Sequence, residues 1–356
     1  MVPNTATATA TATAVAEAAG TARTHVTEHT VVVDAPADTV YGLVADVSAW
    51  PQVFGPTIHV EVLEEHADEQ LLRIWATAND QVRSWTSHRI LDSRARTVSF
   101  RQVASAHPVA SMGGKWLVEP NDDGGSRVVL LHDYTAVDDD PAAVELIERA
   151  VDRNSRAELT ALKNAAEQSG AERSGAEQSG GRTGAEDGAL RFTFSDSVDI
   201  EGSAEDVFAF LDRADLWPER LPHVARIGLE ESPSDGGGST VQRMDMDTRS
   251  PDGSLHNTMS VRVCFPDRSV IVYKQLRVPV VMSGHTGRWE IEPHGKGVRA
   301  TSWHTVTLDP EGVRQLLGPQ ATLAEARAKV RQALGTNSTT TLRHAKRFAE
   351  NLHDRS

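Results

Sequence analysis

Three blocks of this chain occur twice, in the same order, and that duplication limits the possible folds more than any other feature. ADTVYGLVADVSAWPQ has its counterpart in AEDVFAFLDRADLWPE: Val40 and Trp50 stand ten residues apart, as do Val207 and Trp217, and Pro51 and Pro218 follow. GKWLVEP (Gly114 to Pro120) matches GRWEIEP (Gly287 to Pro293), and RNSRAELTALKNAAE (Arg153 to Glu167) matches TNSTTTLRHAKRFAE (Thr336 to Glu350). The chain is a tandem duplication. Between the copies, Gln168 to Gly188 holds almost no large apolar side chain and cannot bury enough surface to offset the entropy of ordering. It reads as a flexible linker. The expected organisation of the 356 residues is a disordered Ala/Thr-rich tail over 1–24, a domain over 25–167, a linker over 168–189 and a second domain over 190–356.

Each copy has the same internal order. A short alternating strand (HTVVVDA, FTFSDSVDI) precedes a helix start signal, Asp34 before Pro36 in one copy and Ser203 before Glu205 and Asp206 in the other. Val40, Leu43, Val44 and Val47 follow a helical period. After the Trp-Pro break come about six alternating strands with turns such as NDDGG and SDGGG. A long helix closes each copy: Pro141 to about Glu167, and Pro310 to Leu352 with expected breaks near Gly318-Pro319 and Gly335. The fold class is α+β: two tandem domains, each a curved antiparallel sheet wrapped round a long C-terminal helix. One helix cannot fill a strongly bent sheet, so each domain is expected to hold an interior cavity.

Fifty acidic against 36 basic side chains give a net charge of −14, which argues against nucleic acid as a partner. No run of 18 apolar residues is present to span a membrane, and the N-terminal residues lack a secretory pattern, so a cytoplasmic location is expected. The lone cysteine, Cys264, permits no internal disulfide and no cysteine zinc site, and reads as a small core residue. No HExxH pair appears among the fourteen histidines, and no metal site is expected. GxxxxGK[ST], GxGxxG and GxSxG are also missing, so the expected chemistry runs without cofactor, nucleotide or covalent serine.

The segment VRSWTSHRI carries the strongest chemical signal. On a strand, Trp85, Ser87 and Arg89 share one face and Thr86, His88 and Ile90 the other. An indole, a hydroxyl and a guanidinium together suit a cavity for an oxygen-rich, aromatic-like ligand; a solvent-facing strand with a chance Trp stays open as the alternative. In the second copy Ser260 and Arg262 match Ser87 and Arg89, while Thr258 replaces Trp85. His132 and Tyr134 share a strand face and form the candidate general acid/base pair. His107, His285 and His304 read as structural or surface-exposed. Trp116 and Trp289 read as core or cavity wall, and Trp50 and Trp217 as packing the short-helix corner.

These residues resemble the aromatase/cyclases of bacterial type II polyketide synthases, which belong to the START-like helix-grip superfamily. APADTVYGLVADVSAWPQVF is similar to the opening of single-domain members, and RSWTSHRI looks like their pocket strand, whose functional Trp, Ser and Arg fall on Trp85, Ser87 and Arg89. The duplication and linker resemble the didomain branch. One departure is that single-domain members can carry a pocket tyrosine after the Trp-Pro motif, where this chain has Gly55-Pro56-Thr57; Thr57 is left, at most, to position a water. The resemblance implies a poly-β-ketone tethered to an acyl carrier protein and already reduced at carbon 9. Its first ring closes by an aldol reaction, typically between carbons 7 and 12, and is dehydrated. Arg89 would hold the enolate or alkoxide oxygen, Ser87 a carbonyl or water, and Trp85 the bent chain, with Trp50, Thr57, Trp116, Ser260 and Arg262 as further substrate contacts.

The implied partners are the carrier protein and other synthase components, the two domains forming a pseudo-dimer on one chain. An acidic enzyme needs a basic patch to receive an acidic carrier. From Glu325 to Ser356 seven basic side chains face three acidic ones, and Arg94, Arg96 and Arg101 are a second choice; a solvated helix face is the plain alternative. A rival function is a non-catalytic carrier of lipid, quinone or polyketide. A third reading places the chemistry in the first half, with the second as structural partner.

Overall fold

The computed structural model describes residues 23–78, 81–178, 190–235, 237–249 and 253–353. The expected tail, apart from its last two residues, lies outside the described residues, as do residues 179–189 of the expected linker.

The first copy forms β1 (His25–Val33), α1 (Ala37–Ala45), α2 (Trp50–Val53), β2 (Thr57–His66), β3 (Glu69–Ala78), β4 (Gln81–Asp92), β5 (Thr97–Gln102), β6 (Val109–Pro120), β7 (Ser126–Ala136) and α3 (Pro141–Gln178). The second forms β8 (Arg191–Ile200), α4 (Ala204–Asp212), α5 (Trp217–Arg220), β9 (Val224–Pro233), β10 (Thr240–Arg249), β11 (Leu255–Phe265), β12 (Val270–Arg277), β13 (Met282–His294), β14 (Gly297–Leu308), α6 (Pro310–Leu317) and α7 (Leu323–His353). Each sheet is seven-stranded and antiparallel, in the orders β1-β7-β6-β5-β4-β3-β2 and β8-β14-β13-β12-β11-β10-β9. These are two helix-grip domains.

Several boundaries differ from the sequence reading, each for a local reason. Asp34 does not cap α1: Pro36 holds the N-cap position without a side-chain bond, and the Asp34 amide donates to Glu167 on α3. Ser203 does cap α4, its Oγ accepting from the Asp206 amide at 3.0 Å. Helix α3 continues past Glu167 to Gln178, into the stretch that composition reads as linker. Its Ala, Glu, Gln and Arg residues are good helix formers. The expected break at Gly318 is present, with φ at +98°, but α7 runs unbroken through Gly335. A Cβ there would collide with Arg331, which reaches across to Asp196, so the glycine serves the ion pair.

The repeated Gly-x-Trp block also has a packing origin. A Cβ on Gly114 would meet the Phe100 ring, and one on Gly287 the Tyr273 ring. In both sheets an aromatic from the neighbouring strand lies flat over a glycine backbone, while Trp116 and Trp289 enter the two cores two residues on.

The two domains meet on sheet faces turned away from their long helices. Val261, Val263 and Phe265 alternate with the inward Ser260, Arg262 and Cys264, and pack with Val241 and Val272 against Ile58 and Trp75 of the first domain. Trp75 Nε1 donates to Ser234 Oγ at 2.8 Å, and Arg268 pairs with Glu61. Among the described residues, no helix is long and apolar enough to cross a membrane.

Candidate active site

A cavity of about 1370 Å³ lies between the sheet and α3 of the first domain, and residues of β9 to β12 from the second domain also line it. Ligand pockets usually enclose roughly 300–1,000 Å³, so this one suits a long, folded chain. Trp85, Ser87 and Arg89 line it from β4, together with Trp50, Phe54 and Thr57 from the α2 corner, and Phe100, Trp116 and His132 from β5, β6 and β7. Period-two alternation on β4 therefore delivers the predicted triplet to one face.

Arg89 is buried and lies beneath the end of α1. It donates to the carbonyls of Val44 (3.2 Å) and Ala45 (2.7 Å), with its guanidinium 5.2 Å from the centre of the Trp50 ring. Those carbonyls carry the negative end of the helix dipole, so the cation caps the helix. Arg262 repeats the arrangement, donating to Leu211 and lying 5.2 Å from Trp217. Retention of this arginine in both copies thus has a structural cause. Burial lowers the Arg89 pKa to about 10, which leaves it charged at neutral pH, and its Nε is a buried donor without a partner. Ser87 Oγ donates to the Arg101 carbonyl at 3.3 Å.

His132 reaches the cavity from β7, with Nδ1 3.4 Å from Ser155 Oγ on α3 and its ring edge-on to Phe100. Burial, with help from the nearby His29, lowers its pKa to about 4, so it is neutral at pH 7. Tyr134 is not brought to the site. Its ring stacks on His25 and packs with Ala143, Ile147 and Val151 under the start of α3.

The sequence reading missed a carboxylate. Ile147, Ala150, Val151, Asn154, Ala157 and Glu158 line the cavity from α3 at helical spacing. Burial raises the Glu158 pKa to about 7. A carboxyl poised near neutrality in the same cavity as a neutral imidazole is the pattern of separated titrations that marks acid/base roles. The signal lay in that helical period, which runs through the repeated RNSRAEL block.

The second interior is arranged differently. Its glycine register sets His304 opposite Gly287 as His132 stands opposite Gly114, and puts His285 at the position of Met112. His304 Nδ1 lies 3.0 Å from both Tyr273 Oη and His285 Nε2, and its Nε2 3.0 Å from Ser302 Oγ. Phe194 stacks on His304 at 4.7 Å. Here His304, Tyr273, His285 and Ser302 bond one another, and Ser260 and Arg262 are buried in the second domain, Arg262 with its Nε and Nη1 unpartnered. Cys264 is core, its thiol pushed up to about 12 by burial.

With this geometry in place, comparison with known proteins decides the family. The family model for polyketide cyclase / dehydrase and lipid transport matches residues 24–167 and again 191–346. The chain belongs to that family. It is 45% identical over 326 residues to the granaticin polyketide synthase bifunctional cyclase/dehydratase of Streptomyces violaceoruber, spanning 92% of this chain and 94% of that one. It is 44% identical to the actinorhodin counterpart of Streptomyces coelicolor, spanning 90% and 96%. Among solved structures, the di-domain ARO/CYC BexL of the BE-7585A pathway superposes with a TM-score of 0.79 at 47% identity, covering 92% of this chain and 99% of its own. The di-domain ARO/CYC StfQ of the steffimycin pathway does so with 0.76 at 32% identity. The protein is therefore an enzyme, a didomain polyketide cyclase/dehydratase of the type II class.

Proposed function

We infer that this cyclase closes and dehydrates the first ring of a carrier-bound poly-β-ketone in the first-domain cavity, joining carbons 7 and 12 of a chain already reduced at carbon 9. One observation carries the reading: a cavity large enough for the folded chain brings Glu158, His132, Ser87 and Arg89 together among aromatic walls. A methylene between two ketones is acidic enough for a carboxylate whose pKa is near 7. Glu158 takes that proton, and the enolate carbon attacks the ketone to form the ring bond. Neutral His132, its Nδ1 facing Ser155, is assigned an Nε2 proton with which it polarises that ketone, as a neutral imidazole can. The Glu158 carboxylic acid gives its proton to the new alkoxide. Its carboxylate then takes the second proton of the attacking carbon, and the hydroxyl leaves as water with that proton as the ring double bond forms; loss of the carbon-9 hydroxyl with a neighbouring ring proton, in the same way, completes the aromatic ring. The fixed Arg89 cation and its remaining Nε–H stabilise developing oxyanion charge, and Ser87 orients a carbonyl. Trp85, Trp50, Trp116 and Thr57 shape the chain, so that two carbons meet at attack distance.

Tyr134 has no part in this scheme, and Ser260 and Arg262 support the second domain. The carrier is received at the cavity mouth, where α3 presents Arg149 and Arg153. Of the earlier candidates, Arg96 pairs with Asp38, Arg101 with Asp133 and Arg331 with Asp196; Arg149 itself pairs with Glu145 on the same helix. The test is reconstitution with a minimal synthase and a ketoreductase. Wild type is expected to yield the carbon 7–12 ring, and Glu158→Gln to leave uncyclised or wrongly closed products. Recovery of unchanged polyketide with the wild-type protein would instead support the carrier function.

A further inference from the structure

Lys274 is a buried lysine with no carboxylate among its hydrogen-bond partners. It projects from β12 of the second domain, and its Nζ donates to the carbonyls of Phe54 (3.0 Å), Gly55 (2.7 Å) and Thr57 (3.0 Å) in the first. An ammonium has three protons, and here each has one backbone acceptor. Burying such a charge is unfavourable unless geometry and hydrogen bonding repay it, and burial lowers its pKa to about 8. A solvent-facing position would avoid that cost. The first copy shows such a position: Tyr273 and Phe100 face equivalent glycines, so Lys274 corresponds to Arg101, which lies exposed and pairs with Asp133. One repeat position has become a bridge between domains.

What the bridge holds is the wall of the active cavity. Phe54, Pro56 and Thr57 line that cavity, and the same segment follows Trp50, on which Arg89 lies. Just upstream, Gln52 reaches the second domain through Thr286 and Thr307. Its own domain holds the segment through the Trp50 indole on the Val44 carbonyl and the Thr77 amide on the Pro56 carbonyl. Lys274 adds, from the second domain, the carbonyls of Gly55 and Thr57 on either side of Pro56, together with that of Phe54.

We propose that Lys274 is a positioning residue for ring closure, by which the second domain fixes the Phe54–Thr57 wall and so selects which carbons meet. This rests on the first-domain cavity being the site of chemistry. The second domain then contributes to selectivity through the wall it holds.

The test uses the full chain with the minimal synthase and ketoreductase, comparing Lys274→Met, Lys274→Gln, Arg268→Ala and Glu158→Gln. Arg268→Ala removes the Glu61 ion pair at the same interface but leaves the wall untouched. The expected result is that Lys274→Met lowers the ratio of correctly closed to wrongly closed product about tenfold. Lys274→Gln, one bond shorter but with two amide donors, shifts it less, and Arg268→Ala leaves it at the wild-type value. A folded Lys274→Met protein with the wild-type product ratio overturns the proposal; if that variant does not fold, Lys274→Gln is judged on the same ratio. If Glu158→Gln also retains full activity, the cavity assignment has failed. If Glu158→Gln is inactive and the Lys274 variants are normal, the positioning role alone has failed.

Discussion

Arg89 lies over Trp50 at 5.2 Å while donating to the last carbonyls of α1, and Arg262 repeats the pose over Trp217 in a domain to which no chemistry is assigned. The repeated pair separates a structural role from a chemical one. Truncation of either arginine leaves buried carbonyls unpaired, a loss of about 2–4 kcal/mol. Arg89→Ala and Arg262→Ala should therefore lower the denaturation midpoint by similar amounts. Only Arg89→Ala should also lower turnover per folded molecule, by about a hundredfold. Equal residual activity of the two folded variants would show that Arg89 only caps its helix.

Glu158 makes a prediction in pH. Its folded pKa, about 7, lies above the ordinary value of 4.5, so the fold favours the protonated acid. Its contribution to stability is fully present below pH 4.5 and lost as pH rises through 7. Glu158→Gln should therefore be more stable than wild type at pH 8.5, by up to about 3 kcal/mol, and equal to it near pH 4. The same variant should lose the ionisation near pH 7 from the pH–rate profile, with a rate reduced about 10²–10⁴-fold. Denaturation curves at the two pH values and the pH–rate profile check both halves.

The buried histidines make the opposite prediction. Burial lowers His59, His132, His223 and His304 to about 4 and His285 to about 3. Each binds its proton near pH 6.5 when unfolded, so the stability it confers is complete above 6.5 and lost as pH falls toward the folded value. His285→Met installs the residue that the first copy carries at that position. It should retain about 2 kcal/mol more of its neutral-pH stability at pH 5 than wild type does, read from chemical denaturation at pH 5 and 8.

Trp75 tests the interface. It is buried, bonded to Ser234, and packed at 5.5 Å against Phe265. Trp75→Ala should cost about 3–5 kcal/mol. Hydrogen exchange should rise on β3 and β10–β12 while β1, β7 and α3 stay protected; uniform exposure of both sheets would contradict this view of the contact.

Much of the fold was legible because the chain states it twice, and strand alternation placed Trp85, Ser87 and Arg89 on one face. Less visible were residues whose environment is made by something distant. Glu158 reads as a solvated helix charge until the sheet curves over it. Trp75 and Lys274 face outward from their own domains, and only the other domain buries them. Gly335 reads as a helix breaker, since nothing local shows that Arg331 needs its space. Tyr134 follows the alternation of His132 but lies beyond the cavity, against His25, because alternation fixes the face and not the position along it.

The most direct measurement is the product profile of the reconstituted synthase with wild-type, Glu158→Gln and Arg262→Ala proteins, resolved by mass and NMR. The account predicts the carbon 7–12 ring from wild type and from folded Arg262→Ala, and its loss with Glu158→Gln. Full aromatised product from Glu158→Gln, or loss of product only with the second-domain variant, would place the chemistry outside the first cavity.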